Sequence, residues 1–474
     1  MTSKERIDFA LSISTDTQVF LMGSGEYAKA PEVFRHCFPG RKAVVLADIH
    51  TWPVLGQKVY GALKADGIET EKYIIDKETF HADWKYVEMA DLVAEGRFAE
   101  AKAVEDDPDQ VESDAARAAA QAVPAQYVLV SVGSGVINDL CKLASHHHGQ
   151  SYLTLPTAAS VDGYSSFGAS ITYASSKQNF PCPTPVAILA DTDVIAAAPA
   201  EMSAAGYADL AAKVPAGGEW MVADFVGTAP LHADAWHVLQ DHLDGFLANP
   251  AGIAQGDPAA IADVFEGLTL SDIAMQAARS SRPASCSDHL FSHIMDMTGH
   301  RYKGKLQSHG FQVAIGTLTM CAVFDEFFKQ DIPAIDIDAC AAAWPSLEEE
   351  QERALKLFKD FPAPRLGYEE ITKKYAPAEV VREQIGKLKA EWPSFKAALQ
   401  QQVWPFEKMQ DHLRLAGAPS DPADIGLSRE ALRDMFPLVQ LMRFRYNLLD
   451  LAKRGGFYDA IVNPLFDKGG VWEI

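Results

Sequence analysis

The spacing of short apolar, β-branched runs constrains the fold of this chain more than any other feature of its sequence. Six runs lie within the first 190 residues, at positions 19–22, 43–47, 73–75, 127–132, 152–155 and 186–190. Helix-like stretches, such as residues 27–37 and 54–64, separate most of these runs. Buried strands that alternate with helices are typical of a parallel, doubly wound sheet. We therefore predict an α/β domain over residues 1–192.

The remainder of the chain carries a different pattern. From about residue 193 onward almost no β-branched runs occur, and the sequence consists of helical segments rich in Ala, Leu and Met. Ser346 and Glu349 are spaced as a capping box, which predicts the start of a charged helix that runs to Phe361. We predict an all-helical domain over residues 193–474, with a C-terminal extension that begins near residue 344.

An acidic segment interrupts the α/β pattern. Residues 91–114 contain nine acidic and two basic side chains. Such a concentration of like charge favours contact with solvent, so we interpret residues 91–117 as a solvated insertion of helix and loop. We assign this insertion no chemistry.

Charge and cysteine usage limit the partners and the compartment. The chain has 64 acidic and 42 basic residues, which gives a formal net charge of −22. Long-range repulsion argues against nucleic acid or an anionic membrane surface as a partner, although a local basic pocket for an anion stays open. The six cysteines are scattered singly, which indicates reduced thiols in a cytoplasmic protein. The longest uncharged run, residues 118–138, contains Pro124, Gly133 and Gly135, so we expect no membrane span.

The fourth apolar run ends in a glycine turn. Gly133, Ser134 and Gly135 follow it directly and precede an amphipathic helix. This arrangement allows backbone N–H groups to approach a pyrophosphate at the positive end of the helix, although a plain tight turn explains two glycines equally well. Residues 23–25 form a second turn of this kind. Asp48 ends the second run, where its carboxylate could bind a ribose or serve as a helix N-cap or turn residue.

Small hydroxylated residues follow the fifth run. Residues 154–166 read Thr-Leu-Pro-Thr-Ala-Ala-Ser-Val-Asp-Gly-Tyr-Ser-Ser. They offer neutral hydrogen-bonding groups with little bulk, which suits a polar ligand lying over the strand ends. A surface loop rich in Ser and Gly is the alternative interpretation.

A third group combines histidines with a carboxylate. His289 and His293 are four residues apart and share one helix face, and His309 and Asp209 complete the group. Two imidazoles and one carboxylate are the usual protein ligands of a catalytic divalent metal. His-x-x-x-His pairs also occur on helix surfaces, so the spacing leaves both interpretations open. The run at residues 146–148 is interpreted as an exposed helix end.

These motifs, taken in order, resemble those of the glycerol-1-phosphate dehydrogenases. They read Gly-Ser-Gly-Val-Ile-Asn-Asp-Leu-x-Lys, Pro-Thr-Ala-Ala-Ser-x-Asp-Gly, Ala-Gly-x-x-Asp-Leu-x-x-Lys and Ser-Asp-His-x-x-x-His followed by His-Gly. The family belongs to the superfamily of iron-containing alcohol dehydrogenases and dehydroquinate synthases. The likeness extends over about residues 15–325. It implies a dehydroquinate synthase-like fold, in which a Rossmann-like α/β domain precedes an all-α domain.

The resemblance also implies a nicotinamide cofactor, NAD or NADP, and one divalent metal. The implied ribose contact is Asp48. The implied pyrophosphate contacts are Gly133, Ser134, Gly135, Val136, Ile137, Asn138 and Asp139. Further implied cofactor contacts are Thr157, Ala158, Ala159, Ser160 and Ser166. The implied metal ligands are Asp209, His289 and His309, and Zn²⁺ suits them, with nickel or iron as alternatives because N/O ligands discriminate poorly among these metals.

Asp162 and His293 match the family's substrate-binding positions, and Asp209 is implied to serve both metal and substrate. The metal would polarise the substrate oxygen while the nicotinamide exchanges hydride with the adjacent carbon. His293 would hydrogen-bond the substrate or relay a proton. The chain departs from the family at Cys286, Ala208 and Phe311, which makes the substrate pocket less defined than the metal ligands.

Several functions share these residues. The first is an NAD(P)-linked reductase that converts dihydroxyacetone phosphate to glycerol 1-phosphate. A phosphate-eliminating cyclase of the dehydroquinate synthase kind, a dehydrogenase of another small polyol or alcohol, and a binding or regulatory protein are the alternatives. The cyclase needs several cations, and the basic residues near the motifs are Lys142, Lys213, Arg282, Arg301, Lys303 and Lys305. We expect a phosphorylated triose or polyol as substrate and a homo-oligomer, dimeric or larger.

Overall fold

A computed structural model describes residues 1–107, 124–173 and 176–474. The chain divides into two compact units. Unit 1 comprises residues 1–210 and 237–280, and unit 2 comprises residues 211–236 and 281–474. The predicted boundary after residue 192 therefore marks the end of the last strand of the large sheet, whereas the helices at 200–210 and 237–280 pack with that sheet.

Unit 1 contains the α/β part of the chain. Its strands are β1 (Val19–Gly23), β2 (Lys42–Asp48), β3 (Thr70–Ile75), β4 (Tyr127–Gly133), β5 (Leu153–Pro156), β6 (Ala169–Tyr173), β7 (Ser176–Phe180) and β8 (Ala187–Asp191). Its first helices are α1 (Ser3–Ile13), α2 (Ala30–Cys37), α3 (Gln57–Ala65), α4 (Trp84–Ala94), α5 (Phe98–Asp106), α6 (Gly135–His147), α7 (Thr192–Ala196) and α8 (Ala200–Ala211). Its later helices are α10 (Ala233–Leu239), α11 (Leu243–Phe246), α12 (Pro250–Gln255) and α13 (Pro258–Ala278).

Six of these strands form one parallel sheet, in the order β1-β8-β5-β4-β2-β3. All six apolar runs identified in the sequence lie in this sheet, so the predicted α/β class is confirmed. Every residue of β4 is buried, because apolar helices cover both faces of a parallel sheet. The carboxyl ends of the six strands, including those of β2, β4 and β5, lie at one edge.

Two predictions about the surface of unit 1 hold only in part. Within the acidic segment, Asp91, Glu95 and Glu105 are buried, and Glu105 accepts hydrogen bonds from the Tyr73 hydroxyl (2.7 Å) and the Asp76 N–H (2.9 Å). Part of this segment is therefore buried within unit 1, whereas Glu100, Asp106 and Asp107 are exposed and residues 108–117 lie outside the described residues. The helix end at 146–148 is only partly exposed, since the His147 imidazole is buried against Asp91 at 2.9 Å.

Unit 2 is helical except for one small hairpin. Its helices are α9 (Lys213–Phe225), α14 (Ser287–Met297), α15 (His309–Phe328), α16 (Ile337–Ala343), α17 (Leu347–Leu357), α18 (Leu366–Lys374), α19 (Ala378–Gln402), α20 (Phe406–Leu415), α21 (Arg429–Leu441), α22 (Leu448–Arg454) and α23 (Tyr458–Val462). The hairpin pairs β9 (Arg301–Tyr302) with β10 (Lys305–Leu306). The predicted helical character of the second part of the chain is thereby confirmed.

Two helices of unit 2 bear on the sequence predictions. The capping box of Ser346 and Glu349 is present at the start of α17, but the helix ends at Leu357 and not at Phe361. Helix α15 is long and apolar enough to cross a membrane, but most of it is buried within the folded chain. Such burial is typical of a core helix, and α15 carries one of the predicted metal ligands.

Candidate active site

The glycine turn lies at the carboxyl edge of the sheet, as the sequence predicts. Strand β4 ends at Gly133 and helix α6 begins at Gly135, with Ser134 as an N-cap whose side chain makes no capping hydrogen bond. A Cβ atom on Gly133 would lie 2.6 Å from Ile137 Cγ1, so packing of the turn alone requires this glycine. A Cβ atom on Gly135 would meet only Val161 Cγ1, at 3.1 Å. The turn therefore leaves the positive end of α6 accessible to an anion.

Several predicted cofactor contacts can act only through their backbones. The side chains of Ile137, Asn138, Thr157, Ala158 and Ala159 are buried within unit 1. Thr157 N–H donates to Gly133 O at 3.1 Å, which joins the loop after β5 to the glycine turn. Both turns therefore present mostly main-chain groups at the sheet edge, a chemistry that suits phosphates better than bases. Val136, Asp139, Ser160 and Ser166 remain half-buried along these segments.

Asp48 occupies the end of β2, but its carboxylate has a local role. Asp48 Oδ1 accepts the N–H groups of His50 (2.9 Å) and Thr51 (2.7 Å). These bonds form the turn that the sequence left as the alternative to ribose binding. Ribose recognition by Asp48 would have to use Oδ2, and it stays a prediction.

Two side chains of α6 fix the loop at residues 163–168. Asn138 Nδ2 donates to Gly163 O at 3.0 Å. Lys142 is fully buried, and its Nζ donates to the carbonyl oxygens of Gly163 (2.7 Å), Ser166 (3.1 Å) and Gly168 (3.0 Å). The Asp139 Oδ1 atom also lies 3.4 Å from Nζ, so four acceptors surround the three donors of the ammonium group. Lys142 therefore positions the loop and is no candidate for binding an external anion.

Asp272 on α13 holds the same loop from the other side, and sequence reasoning missed it. Its carboxylate accepts the N–H groups of Gly163 and Ser165, each at 2.8 Å. Burial, and next the charge of Asp162, raise the pKa of Asp272 well above its ordinary value. A lone acid within the apolar run Leu-Thr-Leu-Ser-Asp-Ile-Ala-Met was the available signal, since a buried carboxylate needs such partners.

Asp209 is brought to this loop by a glycine one turn before it. A Cβ atom on Gly206 would lie 2.0 Å from the carbonyl oxygen of Ala159, so only glycine permits this close approach of α8 to the loop. Asp209 is fully buried, and its Oδ2 accepts the N–H of Asp162 at 2.8 Å. The Ala-Gly-x-x-Asp spacing therefore has a packing explanation. The glycine lets α8 approach the loop, and the aspartate accepts a hydrogen bond from the loop backbone.

The three predicted histidines form a cluster in unit 2. The ring centroid of His309 lies 5.3 Å from that of His289 and 6.5 Å from that of His293. His289 is in the first turn of α14, and His309 is the first residue of α15. A Cβ atom on Gly316 of α15 would lie 2.1 Å from Asp288 O, so this glycine allows the two helices to approach closely enough for the cluster to form.

Hydrogen bonds orient two of these rings. His289 Nδ1 bonds to Asp288 Oδ2, and His309 Nδ1 bonds to Ser292 Oγ at 3.1 Å. Ser292 Oγ in turn donates to Gln312 Oε1 at 2.7 Å, so it must accept from His309. In both rings Nδ1 then carries the proton and Nε2 carries the lone pair that a metal requires. Gln312 Nε2 is buried with no acceptor among the described residues.

Glu219 anchors the start of the histidine-bearing helix. This fully buried residue of α9 accepts the Ser287 N–H and Ser287 Oγ–H, each at 2.8 Å, and the Leu448 N–H at 2.9 Å. Burial raises the pKa of its carboxyl group, which the Leu448 hydrogen bond partly opposes. No motif marked Glu219 in the sequence, because its partners are distant in the chain.

The residues predicted as metal ligands are distributed over both units, with Asp209 in unit 1 and His289 and His309 in unit 2. All three are buried or half-buried, and the rings of the two histidines lie 5.3 Å apart. One carboxylate oxygen and two imidazole nitrogens are donors that suit a divalent cation such as Zn²⁺. The oriented rings and the orphaned amide of Gln312 are further features expected around a bound group. The donor set therefore fits a metal, and the assignment of its ligands stays a prediction.

Comparison with known proteins agrees with this description. Residues 94–199 match the family model of iron-containing alcohol dehydrogenases. A glycerol-1-phosphate dehydrogenase (NAD(P)+) of Halalkalibacterium halodurans is 28% identical over 318 residues, which cover 67% of this chain and 73% of that protein. One of Halobacterium salinarum is 36% identical over 235 residues, covering 48% and 65% respectively. The resemblance stated from the motifs is confirmed.

Solved structures show the same fold. A probable glycerol dehydrogenase from Sinorhizobium meliloti aligns over 95% of this chain and 97% of its own, with a TM-score of 0.55 and 16% identity. Maleylacetate reductase from Rhizobium sp. aligns over 94% and 97%, with a TM-score of 0.55 and 14% identity. These likenesses confirm the predicted fold class.

Proposed function

We propose that this chain, a sequence relative of the glycerol-1-phosphate dehydrogenases, interconverts dihydroxyacetone phosphate and sn-glycerol 1-phosphate with NAD(P) and one divalent metal. The pair of His289 and His309 carries this proposal, because the hydrogen bonds at Nδ1 of both rings leave each Nε2 as a donor atom for a cation, to which Asp209 would add a carboxylate. A divalent metal in this position would supply Lewis-acid polarisation of the substrate oxygen.

The protein's own groups orient the side chains proposed as metal ligands. The Asp162 N–H fixes Asp209 Oδ2, and the Ser292–Gln312 pair fixes the ring of His309. His293 lies one turn beyond His289, where its imidazole can hydrogen-bond the substrate or transfer a proton to solvent. The backbone N–H groups at the start of α6 would hold the cofactor pyrophosphate.

The identity of the metal, the cellular location and the oligomeric state are part of the same proposal. We favour zinc as the metal, because one carboxylate and two imidazoles leave an open position in a tetrahedral shell, and nickel and iron accept the same donors. We also propose a homo-oligomer and a cytoplasmic location, the latter in keeping with the six free cysteines in the described residues.

The cyclase alternative has less support in the structure. It requires several cations around the substrate, yet Lys142, Lys213 and Arg282 are buried. Lys142 is committed to loop carbonyls, and Arg282 Nη1 donates to Tyr446 O at 2.6 Å. Of the six basic residues near the motifs, those of the β9–β10 hairpin, Arg301, Lys303 and Lys305, are the exposed ones.

One assay tests the proposed function directly. Purified, metal-loaded protein is supplied with NADH or NADPH and with dihydroxyacetone phosphate, dihydroxyacetone, and a panel of small aldehydes and ketones, while cofactor oxidation and phosphate release are both followed. We expect cofactor oxidation fastest with dihydroxyacetone phosphate and no release of phosphate. Phosphate release without cofactor oxidation would favour the cyclase instead.

Replacing Gly135 by Val is expected to weaken cofactor binding at least tenfold, equivalent to about 1.4 kcal/mol. The new side chain would fill the space in front of α6, where the only close neighbour of a Cβ atom is Val161. Titration of NADH by fluorescence measures the affinity, with Gly61→Val as a control because a Cβ there meets nothing within 4 Å. Unchanged affinity in folded Gly135→Val would place the phosphates elsewhere.

Replacing His293 by Ala is expected to lower turnover by about 10²-fold while metal and cofactor stay bound. His293 shares a helix face with His289, but three other side chains already form the proposed metal site. Metal content and kcat are measured on the same preparation. Stoichiometric metal loss would make His293 a ligand, and near-normal kcat would make it a structural residue.

A further inference from the structure

The β9–β10 hairpin concentrates positive charge in a strongly acidic protein. Arg301, Lys303 and Lys305 lie within five residues and are exposed, whereas the chain as a whole carries a net charge of −22. Among the described residues neither lysine forms an ion pair, and the Lys303 ammonium lies only over the ring of Tyr302, 4.7 Å from its centroid. These lysines are therefore available to an external anion.

A cavity of about 430 Å³ lies beside this hairpin, wholly within unit 2. Lys303 and Lys305 line it, together with Gln307 and Phe311. The latter two residues flank His309 by two positions on either side, so the cavity adjoins the start of α15. Its volume is within the range of small-ligand sites. The positive end of α15, whose N-cap Ser308 makes no side-chain capping bond, adds a further attraction for an anion.

Contacts with the C-terminal extension hold the hairpin in place. His300 Nε2 bonds to Ile425 O at 2.7 Å, and Gly426 packs so tightly on Tyr302 that a Cβ atom would lie 2.4 Å from the ring. The one carboxylate that lines the cavity, Asp424, accepts the N–H groups of Ser420 (2.9 Å) and Asp421 (3.0 Å). The negative charge of Asp424 is therefore stabilised partly by N–H groups of its own turn.

We propose that this cavity binds the phosphate group of the substrate, with Lys303 and Lys305 as the residues that select a phosphorylated triose over its unphosphorylated analogue. This proposal rests on the proposed function and assigns substrate selection to two residues. Two ammonium groups without carboxylate partners, beside a helix N-terminus and next to His309, form a site for a phosphate monoester dianion.

The test compares four forms of the metal-loaded protein: unmodified, Lys303→Gln/Lys305→Gln, Arg301→Gln and Lys356→Gln. Arg301 lies on the same hairpin but does not line the cavity, and Lys356 is an exposed lysine on α17. The measured quantity is kcat/KM for dihydroxyacetone phosphate divided by kcat/KM for dihydroxyacetone. Binding of inorganic phosphate is measured by calorimetry on the same preparations. Exposed substitutions of this kind seldom disturb folding.

We expect the double variant to lower this ratio at least 100-fold and to weaken phosphate binding, whereas Arg301→Gln changes the ratio less than threefold and Lys356→Gln leaves it unchanged. An unchanged ratio in the double variant overturns the proposal. An equal loss in Arg301→Gln also overturns it, because general attraction by the hairpin would then explain the effect.

Failure of the proposed function is distinguishable from failure of the site. If the unmodified protein does not reduce dihydroxyacetone phosphate, the proposed function fails. The phosphate titration then decides whether Lys303 and Lys305 bind an anion. Loss of phosphate binding in the double variant alone then supports an anion site at the hairpin, and equal binding by all four forms overturns it.

Discussion

Replacing Asp209 by Asn is expected to reduce bound metal from one equivalent to a small fraction and to lower turnover at least about 10³-fold, the scale of several kcal/mol of Lewis-acid stabilisation. Asn has nearly the same volume, so the packing of Gly206 against Ala159 is preserved. The amide is a neutral and poorer ligand, and the negative charge of the donor set is lost. Elemental analysis and steady-state kinetics on one preparation measure both effects.

The matched control for Asp209→Asn is Asp434→Asn, which makes the same chemical change on the exposed face of α21. This control should keep full metal content and normal turnover. His289→Ala and His309→Ala should behave as Asp209→Asn does. Full metal content with normal turnover in Asp209→Asn would show that other side chains hold the metal.

Replacing Gly316 by Ala is expected to lower the free energy of unfolding by about 2–3 kcal/mol and metal affinity by roughly 100-fold. The new Cβ would lie 2.1 Å from the carbonyl oxygen and 2.9 Å from the carbonyl carbon of Asp288. Because both are backbone atoms, no rotamer change relieves the overlap and α14 must move away from α15. His289 follows Asp288 directly, so this movement separates the two imidazoles.

Gly386→Ala provides the control for that substitution. Gly386 lies inside α19 of the same unit, and a Cβ there would meet only Ile337 Cδ1, at 3.9 Å. Alanine should therefore stabilise the helix by about 0.5–1 kcal/mol and leave metal affinity unchanged. Chemical denaturation and metal titration of both variants measure the contrast. Equal stability of the two would show that α14 and α15 tolerate a wider separation.

The large sheet could be predicted from the sequence because its strands are buried on both faces. Runs such as Val-Val-Leu in β2 contain the apolar residues that a parallel sheet requires. Short β-branched runs of this kind are typical of strands buried on both faces. The hairpin of β6 and β7 was not predicted, since it is antiparallel and its second strand is mostly polar. Polar strands of this kind resemble loops in the sequence.

The candidate site also contains residues that the sequence could identify and residues that it could not. Asp209, His289 and His309 could be proposed from their motifs because metal binding demands particular residue types at particular spacings. Glu219 and Asp272 could not, because each bonds backbone N–H groups of segments distant in the chain. Lys142 was a candidate cation in the sequence, and only the folded loop shows that three carbonyl oxygens surround it.

Metal-dependent reduction of dihydroxyacetone phosphate is the most direct test of the proposed function. The protein is stripped of metal with a chelator, assayed with NADH and NADPH, reloaded with one equivalent of Zn²⁺, Ni²⁺ or Fe²⁺, and assayed again, and the configuration of the product is determined. We expect no activity after stripping, recovery with at least one of these metals, and sn-glycerol 1-phosphate as the product. Undiminished reduction by the stripped protein, or formation of sn-glycerol 3-phosphate, would contradict the proposal.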